Sequence, residues 1–305
     1  MQEIGEELID LNEDNKKAKE ENNTNKITNK SSINYIIILI ILIILFVLII
    51  KLYSFFNKMN PKKQYKSLII FDFDKTITIN DTFEEQVPLL NSKAAEDELI
   101  RRIYDENWAS VMAEAYNTFY DLNISISDIN KRIDKVQITS GMKELLNFLK
   151  NKKDNNYFLV IFSAGHLYQV NRVLQKNNLT SFFDDIIAFY SYEKDGKIIV
   201  DKPKEFSCEL CKGVGQCKTN EFNLLKKKYE KENIFFDKVY YICDGINDYC
   251  LARNLENKDE LLIRKNYGLD NYLYNNNFIQ NIKCKVNKWN NGFDIIDYFK
   301  NEKNF

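Results

Sequence analysis

The chain has 305 residues, of which 45% are hydrophobic, so there is room for one substantial domain or two small ones. Its 43 basic and 44 acidic residues give a net charge of −1, which offers no electrostatic surface for nucleic acid. The single histidine, His166, excludes most serine hydrolases and most zinc hydrolases, because their triads and metal sites use histidine. Six cysteines are too few for a disulfide scaffold in a chain of this length.

The N-terminal part of the chain separates into a polar tail, an apolar run and a basic linker. Residues 1–32 are almost all polar or charged, so they cannot bury a core and we expect a disordered tail. Residues 33–56 contain an unbroken apolar run at 36–50, and with its flanks this run is long enough for a single tilted transmembrane helix. Residues 57–64 form a basic linker to the folded domain, which we expect at 65–305.

Two other interpretations of the apolar run are less favourable. A cleaved signal peptide is disfavoured by the polar residues before the run and by the lack of a small-residue cleavage site after it. A core helix is disfavoured because the run has no polar face. Lysines are equally frequent on its two sides, so the positive-inside rule does not decide the orientation. We expect the folded domain in the cytosol, which is the simpler assumption. The sequence does not indicate which cellular membrane would hold the helix.

A long helical segment follows the first predicted strand. Residues 66–71 form an apolar strand, whereas residues 81–138 lack strand alternation and are predicted to be mostly helical. Four residues in this segment recur at helical spacing: Trp108, Val111, Met112 and Ala115. Because the segment separates the first strand from the next α/β unit, we interpret it as an inserted helical cap.

Strands and helices alternate through the rest of the chain. Further strands are predicted at 157–162, 186–189, 238–242 and, as the last of the chain, 261–263. A hairpin at 192–200 is predicted to turn at Asp195-Gly196. Amphipathic helices lie between the strands, so the sequence predicts an α/β domain with a doubly wound, mainly parallel sheet.

The first predicted strand stops at two aspartates, Asp72 and Asp74, one residue apart. Carboxylates are costly to bury without partners, so this position indicates either helix capping in a polar loop or a chemical role. The chemical role would be a nucleophile at Asp72, an acid–base group at Asp74 and a divalent cation that holds them together.

Other polar groups are predicted to meet these aspartates, because ligands bind beyond the carboxyl ends of the strands in such a sheet. The candidates are Ser163 with the amides of Ala164 and Gly165, Lys218 at a helix start, and Asp244 with Asp248. Each group alone is compatible with a cap, a turn or a solvated side chain. Together they supply a hydroxyl and a cation for phosphate, and acids for a metal.

This order of motifs resembles the haloacid dehalogenase superfamily of phosphotransferases. The four motifs are Asp72-Phe73-Asp74-Lys75-Thr76, Ser163, Lys218, and Asp244 with Asp248. Over about residues 65–300 the chain is further similar to the phosphoethanolamine/phosphocholine phosphatase family, which also contains pyridoxal phosphate phosphatases. Segments that carry the narrower resemblance include Gly141-Met142-Lys143-Glu144-Leu145, Ser207-Cys208-Glu209-Leu210-Cys211 and Arg264-Lys265-Asn266-Tyr267.

The resemblance implies a Mg2+-dependent phosphatase for a small phosphorylated substrate, with a helical cap that closes over the site. Asp72 would attack phosphorus to give an aspartyl-phosphate, and Asp74 would transfer the proton. The implied metal ligands are Asp72, Asp74, Asp244 and Asp248. The implied phosphate-binding residues are Ser163, Gly165 and Lys218.

Two departures from the family pattern leave the substrate open. Cys243 stands where the fourth motif usually has glycine. Ala164 and Gly165 follow Ser163, whereas the family usually has Asp and then Asn there, and that Asp is implicated in choosing amino-alcohol phosphates. Candidate substrates are therefore phosphocholine, phosphoethanolamine, pyridoxal phosphate, phosphoserine, thiamine phosphate and lipid headgroup phosphates. The alternative function is a non-catalytic, membrane-anchored phosphate-binding module.

Three clustered cysteines, Cys208, Cys211 and Cys217, could supply most of a zinc site. No fourth ligand has a fixed spacing, so the fold would have to supply Cys243 or Cys250. Because incomplete ligand sets seldom bind structural zinc, the sequence favours reduced thiols that pack a loop near the substrate, and zinc binding stays open.

Overall fold

The computed structural model describes residues 38–55, 63–105, 108–151, 157–201, 208, 210–211 and 216–302. The chain divides into two compact units, Met1–Lys62 and Lys63–Phe305. The predicted tail and residues 57–62 of the predicted linker lie outside the described residues. The predicted limits of the folded domain, 65–305, stay a prediction.

In the first unit, helix α1 covers Ile38–Phe55 and buries none of its side chains. Its mean hydropathy is 3.0 over 18 residues, and at 1.5 Å per residue the helix is about 27 Å long. By length and composition it could cross a bilayer, whose hydrocarbon core is about 30 Å thick. The predicted anchor at 33–56 extends beyond this helix into residues that are not described.

The described part of the second unit contains eight strands. They are β1 (Lys63–Asp72), β2 (Tyr157–His166), β3 (Asp185–Phe189), β4 (Ser191–Lys194), β5 (Lys197–Val200), β6 (Ile234–Cys243), β7 (Glu260–Arg264) and β8 (Lys285–Trp289). Six of them form one sheet with the order β3-β2-β1-β6-β7-β8, in which every neighbouring pair is parallel. β4 and β5 form the predicted antiparallel hairpin, with Asp195 and Gly196 at positive φ in its turn.

Helices cover both faces of this sheet. They are α2 (Lys93–Asp105), α3 (Trp108–Asp121), α4 (Ile126–Ile133), α5 (Met142–Asn151), α6 (Leu167–Lys176), α7 (Lys218–Lys231), α8 (Tyr249–Ala252), α9 (Gly268–Asn275) and α10 (Gly292–Asn301). Apolar side chains of α5, α6 and α10 enter the core on one face, and those of α7, α8 and α9 enter the core on the other. The predicted α/β class with a doubly wound parallel sheet is confirmed.

The central strand β1 is buried from both sides. Leu68, Ile69, Ile70 and Phe71 are all fully buried. Ile69 and Phe71 belong to the core on one face, and Leu68 and Ile70 belong to the core on the other, as the two-residue period of a strand requires. This double burial explains the unbroken apolar run before Asp72.

The sheet has one more strand than the sequence predicts. The last predicted strand, 261–263, is the centre of β7, and β8 follows it at the edge of the sheet. The β8 sequence is Lys-Val-Asn-Lys-Trp, and only Trp289 in it is buried. An edge strand needs apolar side chains on one face alone, so β8 lacks the apolar run by which the inner strands were predicted.

A helical insertion separates β1 from β2. It contains a short 3-10 helix, Glu84–Leu90, followed by α2, α3 and α4. Its two ends are joined by backbone hydrogen bonds: the Ile79 amide donates to the Gln137 carbonyl at 2.9 Å, and the Thr139 amide donates to the Ile77 carbonyl at 2.9 Å. The insertion therefore leaves and re-enters the sheet unit at one place. The limits of the predicted cap, 81–138, stay a prediction.

Candidate active site

Asp72 ends β1, and the chain leaves the sheet there in a tight turn over Phe73–Ile77. Lys75 in this turn has a φ of +58°, a left-handed conformation that is uncommon outside glycine and asparagine. The guanidinium of Arg264, the last residue of β7, donates a hydrogen bond to the Lys75 carbonyl oxygen. This bond ties the turn after Asp72 to a neighbouring part of the sheet.

Asp74 is oriented by the start of the insertion. The amide and the hydroxyl of Thr82 both donate to Asp74 Oδ1, at 2.7 and 2.5 Å. Burial raises the pKa of Asp74 well above its usual range, and the negative charge of Asp81 raises it further, against the opposing effect of the Thr82 bonds. Asp74 is therefore a positioned carboxyl group that holds a proton more tightly than an ordinary aspartic acid does.

Lys218 is the first residue of α7, and its side chain is completely buried. Its ammonium donates to Oδ1 of Asp72 and to Oδ1 of Asp248. Burial lowers the pKa of Lys218, but the charges of Asp248 and Asp72 raise it by more, so the pKa is raised overall and the ammonium stays charged. One buried cation thus links the end of β1 to the turn after β6.

The turn after β6 carries Asp244 and Asp248. Asp248 accepts hydrogen bonds from the Gly245 amide at 2.9 Å and from the Tyr241 hydroxyl. The Thr76 hydroxyl donates to Asp244 Oδ1 at 3.2 Å. The first and fourth predicted motifs are therefore in direct contact, as the parallel register of β1 and β6 requires.

Three carboxylates gather at this point. One oxygen from each of Asp72, Asp244 and Asp248 lies within 4.8 Å of the other two, and all three residues are buried. Burial and the charge of Asp248 raise the pKa of Asp72 to about 6, and burial and the charge of Asp72 raise that of Asp244 well above its usual range. The Lys218 ammonium offsets one of these charges. A hard divalent cation, which prefers oxygen ligands, fits the remaining negative charge and the donor set.

Ser163 lies in β2, where the pairing with β3 becomes irregular between Phe162 and His166. Its hydroxyl accepts a hydrogen bond from the Gly165 amide at 3.0 Å. A Cβ atom on residue 165 would lie 2.5 Å from Gln169 Nε2, 3.1 Å from Ser163 Oγ and 3.4 Å from Asp74 Oδ2. The second motif therefore packs directly against Asp74, and a side chain at 165 would displace the Gln169 amide.

The predicted site residues thus assemble at the carboxyl end of the sheet. Lys218 contacts Asp72 and Asp248, and Asp244 lies beside them. Ser163 and Gly165 lie next to Asp74. The position of these residues is observed, and the role of each one stays a prediction.

Comparison with known proteins identifies the family. Residues 67–302 match the family model described as "Putative Phosphatase". The chain belongs to this family. It is a phosphomonoester hydrolase of the haloacid dehalogenase superfamily, so the alternative of a non-catalytic binding module is set aside. Phosphatases of this superfamily generally use a divalent metal, and the buried aspartates provide a place for one.

Named relatives of this phosphatase cover most of its length. Pyridoxal phosphate phosphatase PHOSPHO2 of Bos taurus is 26% identical over 239 residues, which are 77% of this chain and 98% of that protein. A phosphoethanolamine/phosphocholine phosphatase of Gallus gallus is 24% identical over 206 residues, 67% of this chain and 76% of that protein. A solved structure described as a phospho-aspartyl intermediate analogue of phosphoserine phosphatase has a TM-score of 0.52 at 20% identity, covering 77% of this chain and 99% of that one. This last likeness shows a shared fold.

A buried network of polar side chains adjoins the site of the phosphatase, and the sequence analysis did not find it. The Tyr116 hydroxyl donates to Gln86 Oε1 at 2.6 Å, and Gln86 Nε2 donates to Gln169 Oε1 at 3.2 Å and to the Thr82 carbonyl at 2.9 Å. Among the described residues, none accepts a hydrogen bond from the buried Gln169 Nε2. These residues come from the insertion and from α6 and belong to none of the four motifs. Their hydrogen bonds to one another could therefore be recognised only in the folded structure.

His166 joins this network as a neutral ring. Its Nε2 lies 2.6 Å from the Tyr116 hydroxyl, whose proton is directed to Gln86, so Nε2 is the protonated nitrogen. Its Nδ1 lies 3.2 Å from the Ser191 hydroxyl, which accepts a hydrogen bond from the Tyr168 amide. Burial lowers the pKa of His166 from 6.5 to about 3. His166 is thus a packed polar residue next to the site.

His166 should make the protein less stable as the pH falls below 6.5. The unfolded chain takes up a proton on this ring around pH 6.5, whereas the folded chain does so only near pH 3. By pH 5 this group should therefore have lowered the free energy of unfolding by about 2 kcal/mol relative to neutral and higher pH. In the His166→Asn variant this part of the pH dependence should disappear from denaturant unfolding curves.

The same group can be observed directly, because the chain contains one histidine. With 15N-labelled histidine and a histidine-free affinity tag, the single ring should keep the neutral Nε2–H pattern down to pH 4.5. A titration midpoint near pH 6 would contradict the buried, neutral assignment.

Proposed function

We propose that this phosphatase is a Mg2+-dependent enzyme that hydrolyses a small phosphomonoester through an aspartyl-phosphate on Asp72. The observation that carries the proposal is the contact of the buried Lys218 ammonium with both Asp72 and Asp248, with Asp244 beside them. It gathers a candidate nucleophile, a cation for phosphate and a set of metal ligands at one point.

The carboxylates of Asp72 and Asp244 and the backbone carbonyl of Asp74 would hold the Mg2+ ion, with Asp248 as a further ligand or an orienting partner. When bound, the ion supplies positive charge that offsets the repulsion between an anionic phosphomonoester and the aspartates. Asp248 is well placed for an orienting role, because its contacts with Lys218, Tyr241 and the Gly245 amide fix both of its oxygens.

The residues of the chain perform the bond changes. A carboxylate oxygen of Asp72 forms a bond to phosphorus while the bond from phosphorus to the ester oxygen breaks. Asp74 gives its proton to the leaving oxygen, so an alcohol departs, and then takes a proton from the water that attacks phosphorus. This second step releases inorganic phosphate and restores the Asp72 carboxylate. The two Thr82 donors keep Asp74 in one orientation through both steps.

Three groups would bind the phosphoryl oxygens. The Ser163 hydroxyl and the Gly165 amide lie beside Asp74, and the Lys218 ammonium touches Asp72. Charge spreads over the equatorial oxygens in the transition state of phosphoryl transfer, so donors placed there favour the transition state over the bound substrate.

The preferred leaving group is proposed to lack the ammonium group of choline and ethanolamine, as in pyridoxal phosphate. The groups near Ser163 are neutral: Ala164, Gly165, the Gln169 amide and the ring of His166. The Gln169 Nε2 group is a buried donor that a substrate oxygen could satisfy. The similarity to a bovine pyridoxal phosphate phosphatase supports the same substrate class.

A substrate panel with the full-length chain tests this proposal. Phosphate release should be seen with Mg2+ and should be abolished by EDTA, and kcat/KM for pyridoxal phosphate should exceed that for phosphocholine by about 10-fold. Phosphoserine, phosphoethanolamine and thiamine phosphate complete the panel.

Gln169→Leu should lower kcat/KM for the preferred substrate by about 10-fold. Gln175→Leu changes an exposed position on the same helix, so it should leave kcat/KM unchanged. Equal rates with EDTA, or no release from any substrate, would contradict the proposal.

Helix α1 is proposed to anchor the phosphatase to a membrane, with the catalytic domain in the cytosol. Its hydropathy of 3.0 and the exposure of all its side chains support this role. The full-length chain should stay in the membrane fraction after carbonate extraction, and a chain that begins at Lys63 should be soluble. Added protease should digest the catalytic domain in sealed, cytosol-side-out vesicles. Full-length protein in the soluble fraction would rule out the anchor.

A further inference from the structure

Three thiols form a second group of potential metal ligands, which shares no residue with the aspartate group. The Sγ atoms of Cys208, Cys211 and Cys217 all lie within 4.8 Å of one another. All three cysteines are free thiols. Cys217 is buried, and the other two are half-buried. Three sulfur atoms at such distances have the composition of a soft-metal site, because thiolates are the preferred ligands of zinc.

The two candidates for a fourth ligand, Cys243 and Cys250, lie in different surroundings in the fold. Cys243 is fully buried at the end of β6, where the charges that act on it are those of the active-site residues Asp248, Lys218 and Asp72. Cys250 is buried in α8. Just after α8, the Asn254 side chain donates a hydrogen bond at 3.3 Å to the Thr219 hydroxyl in the first turn of α7. Cys250 therefore lies in the element that packs against the start of α7, which Cys217 directly precedes.

We propose that Cys208, Cys211 and Cys217 bind one Zn2+ ion, with Cys250 as the fourth ligand. Tetrahedral zinc with bonds of about 2.3 Å to sulfur places its sulfur ligands about 3.8 Å apart. The observed cluster, within 4.8 Å, is brought to this geometry by shifts of about 1 Å. The thiolates bind zinc and release their protons to solvent, so neither an oxidant nor a reductant is needed.

The zinc site would have a direct consequence for the start of α7. Cys217 immediately precedes Lys218, whose ammonium contacts Asp72 and Asp248. A metal bound through Cys217 and Cys250 would hold α7 and α8 together at the carboxyl end of the sheet. Zinc would therefore act as a positioning element for the Lys218 ammonium.

Metal analysis of the full-length chain tests this proposal without reference to turnover. After purification in the presence of a phosphine reductant and reconstitution with zinc, elemental analysis should find one zinc per chain. Cys208→Ser and Cys217→Ser should each weaken zinc binding by more than the roughly 100-fold that loss of an outer partner costs. Cys284→Ser removes a buried cysteine that lies outside the cluster, so it should keep full occupancy.

Two further experiments distinguish zinc binding by the thiols from metal binding by the aspartates, and they identify the ligands. Asp72→Asn should keep its zinc, because the thiols and not the carboxylates bind it. Cobalt substitution should give the intense absorption of a tetrahedral thiolate site, and this absorption should weaken in Cys250→Ser.

Three results would overturn the proposal. The first is unchanged zinc affinity in Cys208→Ser, a variant that should fold because residue 208 is only half-buried. The second is a disulfide between these cysteines that persists under reducing conditions. The third is free reaction of all three thiols with a thiol reagent in the presence of equimolar zinc. Unchanged affinity in Cys250→Ser would overturn the assignment of the fourth ligand.

Discussion

Asp72→Asn should lower phosphate release by about 10,000-fold and leave the protein folded. An asparagine at this position has the shape of the aspartate but cannot form an acyl phosphate with the substrate. The fold should survive because the Lys218 ammonium keeps its contact with Asp248. The measurement is the rate of phosphate release on the best substrate, with circular dichroism and thermal unfolding as the test of folding.

A matched control and a trapping experiment make this result specific. Asp297→Asn changes an aspartate on α10 whose side chain is 72% exposed, so it should keep full activity and stability. Acid quenching during turnover of labelled substrate should leave phosphate attached to the normal chain and none attached to Asp72→Asn. Activity of Asp72→Asn equal to that of the control would exclude Asp72 as the nucleophile.

Lys218→Met should destabilise the fold by about 3 to 5 kcal/mol and lower kcat by about 100-fold or more. Methionine fills a similar volume, but it leaves the buried carboxylates of Asp72 and Asp248 without the ammonium that both now contact. Uncompensated buried charge is the main reason for the loss of stability. Denaturant unfolding monitored by fluorescence gives the change in free energy, and steady-state rates give the change in kcat.

The neighbouring lysines of α7 supply the control. Lys227→Met removes a charge from an exposed position of the same helix, so it should change the stability by less than about 0.5 kcal/mol. The double variant Lys218→Met with Asp248→Asn should be less destabilised than the sum of the two single variants, since the second change removes one of the unpaired charges. Strict additivity would show that the ion pairs do not carry the effect.

Much of the fold and of the candidate site follows from patterns that are local in the sequence. The inner strands are buried on both faces, so they appear as unbroken apolar runs, as Leu68, Ile69, Ile70 and Phe71 illustrate. In a parallel sheet such runs end at the same edge, which is why Asp72 and Asp244 could be predicted to meet before any contact was known.

Other features depend on contacts between distant parts of the chain and could not be predicted. β8 is a polar edge strand with no apolar run. Gln86 and Gln169 are ordinary helical residues in sequence, and their hydrogen bond joins the insertion to α6 across 83 positions. The cysteine spacing left zinc binding open, and the choice between Cys243 and Cys250 as a fourth ligand depends on how α7, α8 and β6 pack.

The paired backbone at the two ends of the insertion has a consequence for how such an enzyme can diversify. Because Ile79 and Gln137 are hydrogen-bonded neighbours, an insertion of different length or sequence can begin and end there without altering the strand register. The exchange is limited by one residue, Thr82, which lies inside the insertion and provides both donors to Asp74. Variants that acquire a new substrate range by replacing this segment must therefore keep a hydroxyl residue at its entrance to retain both hydrogen bonds to Asp74.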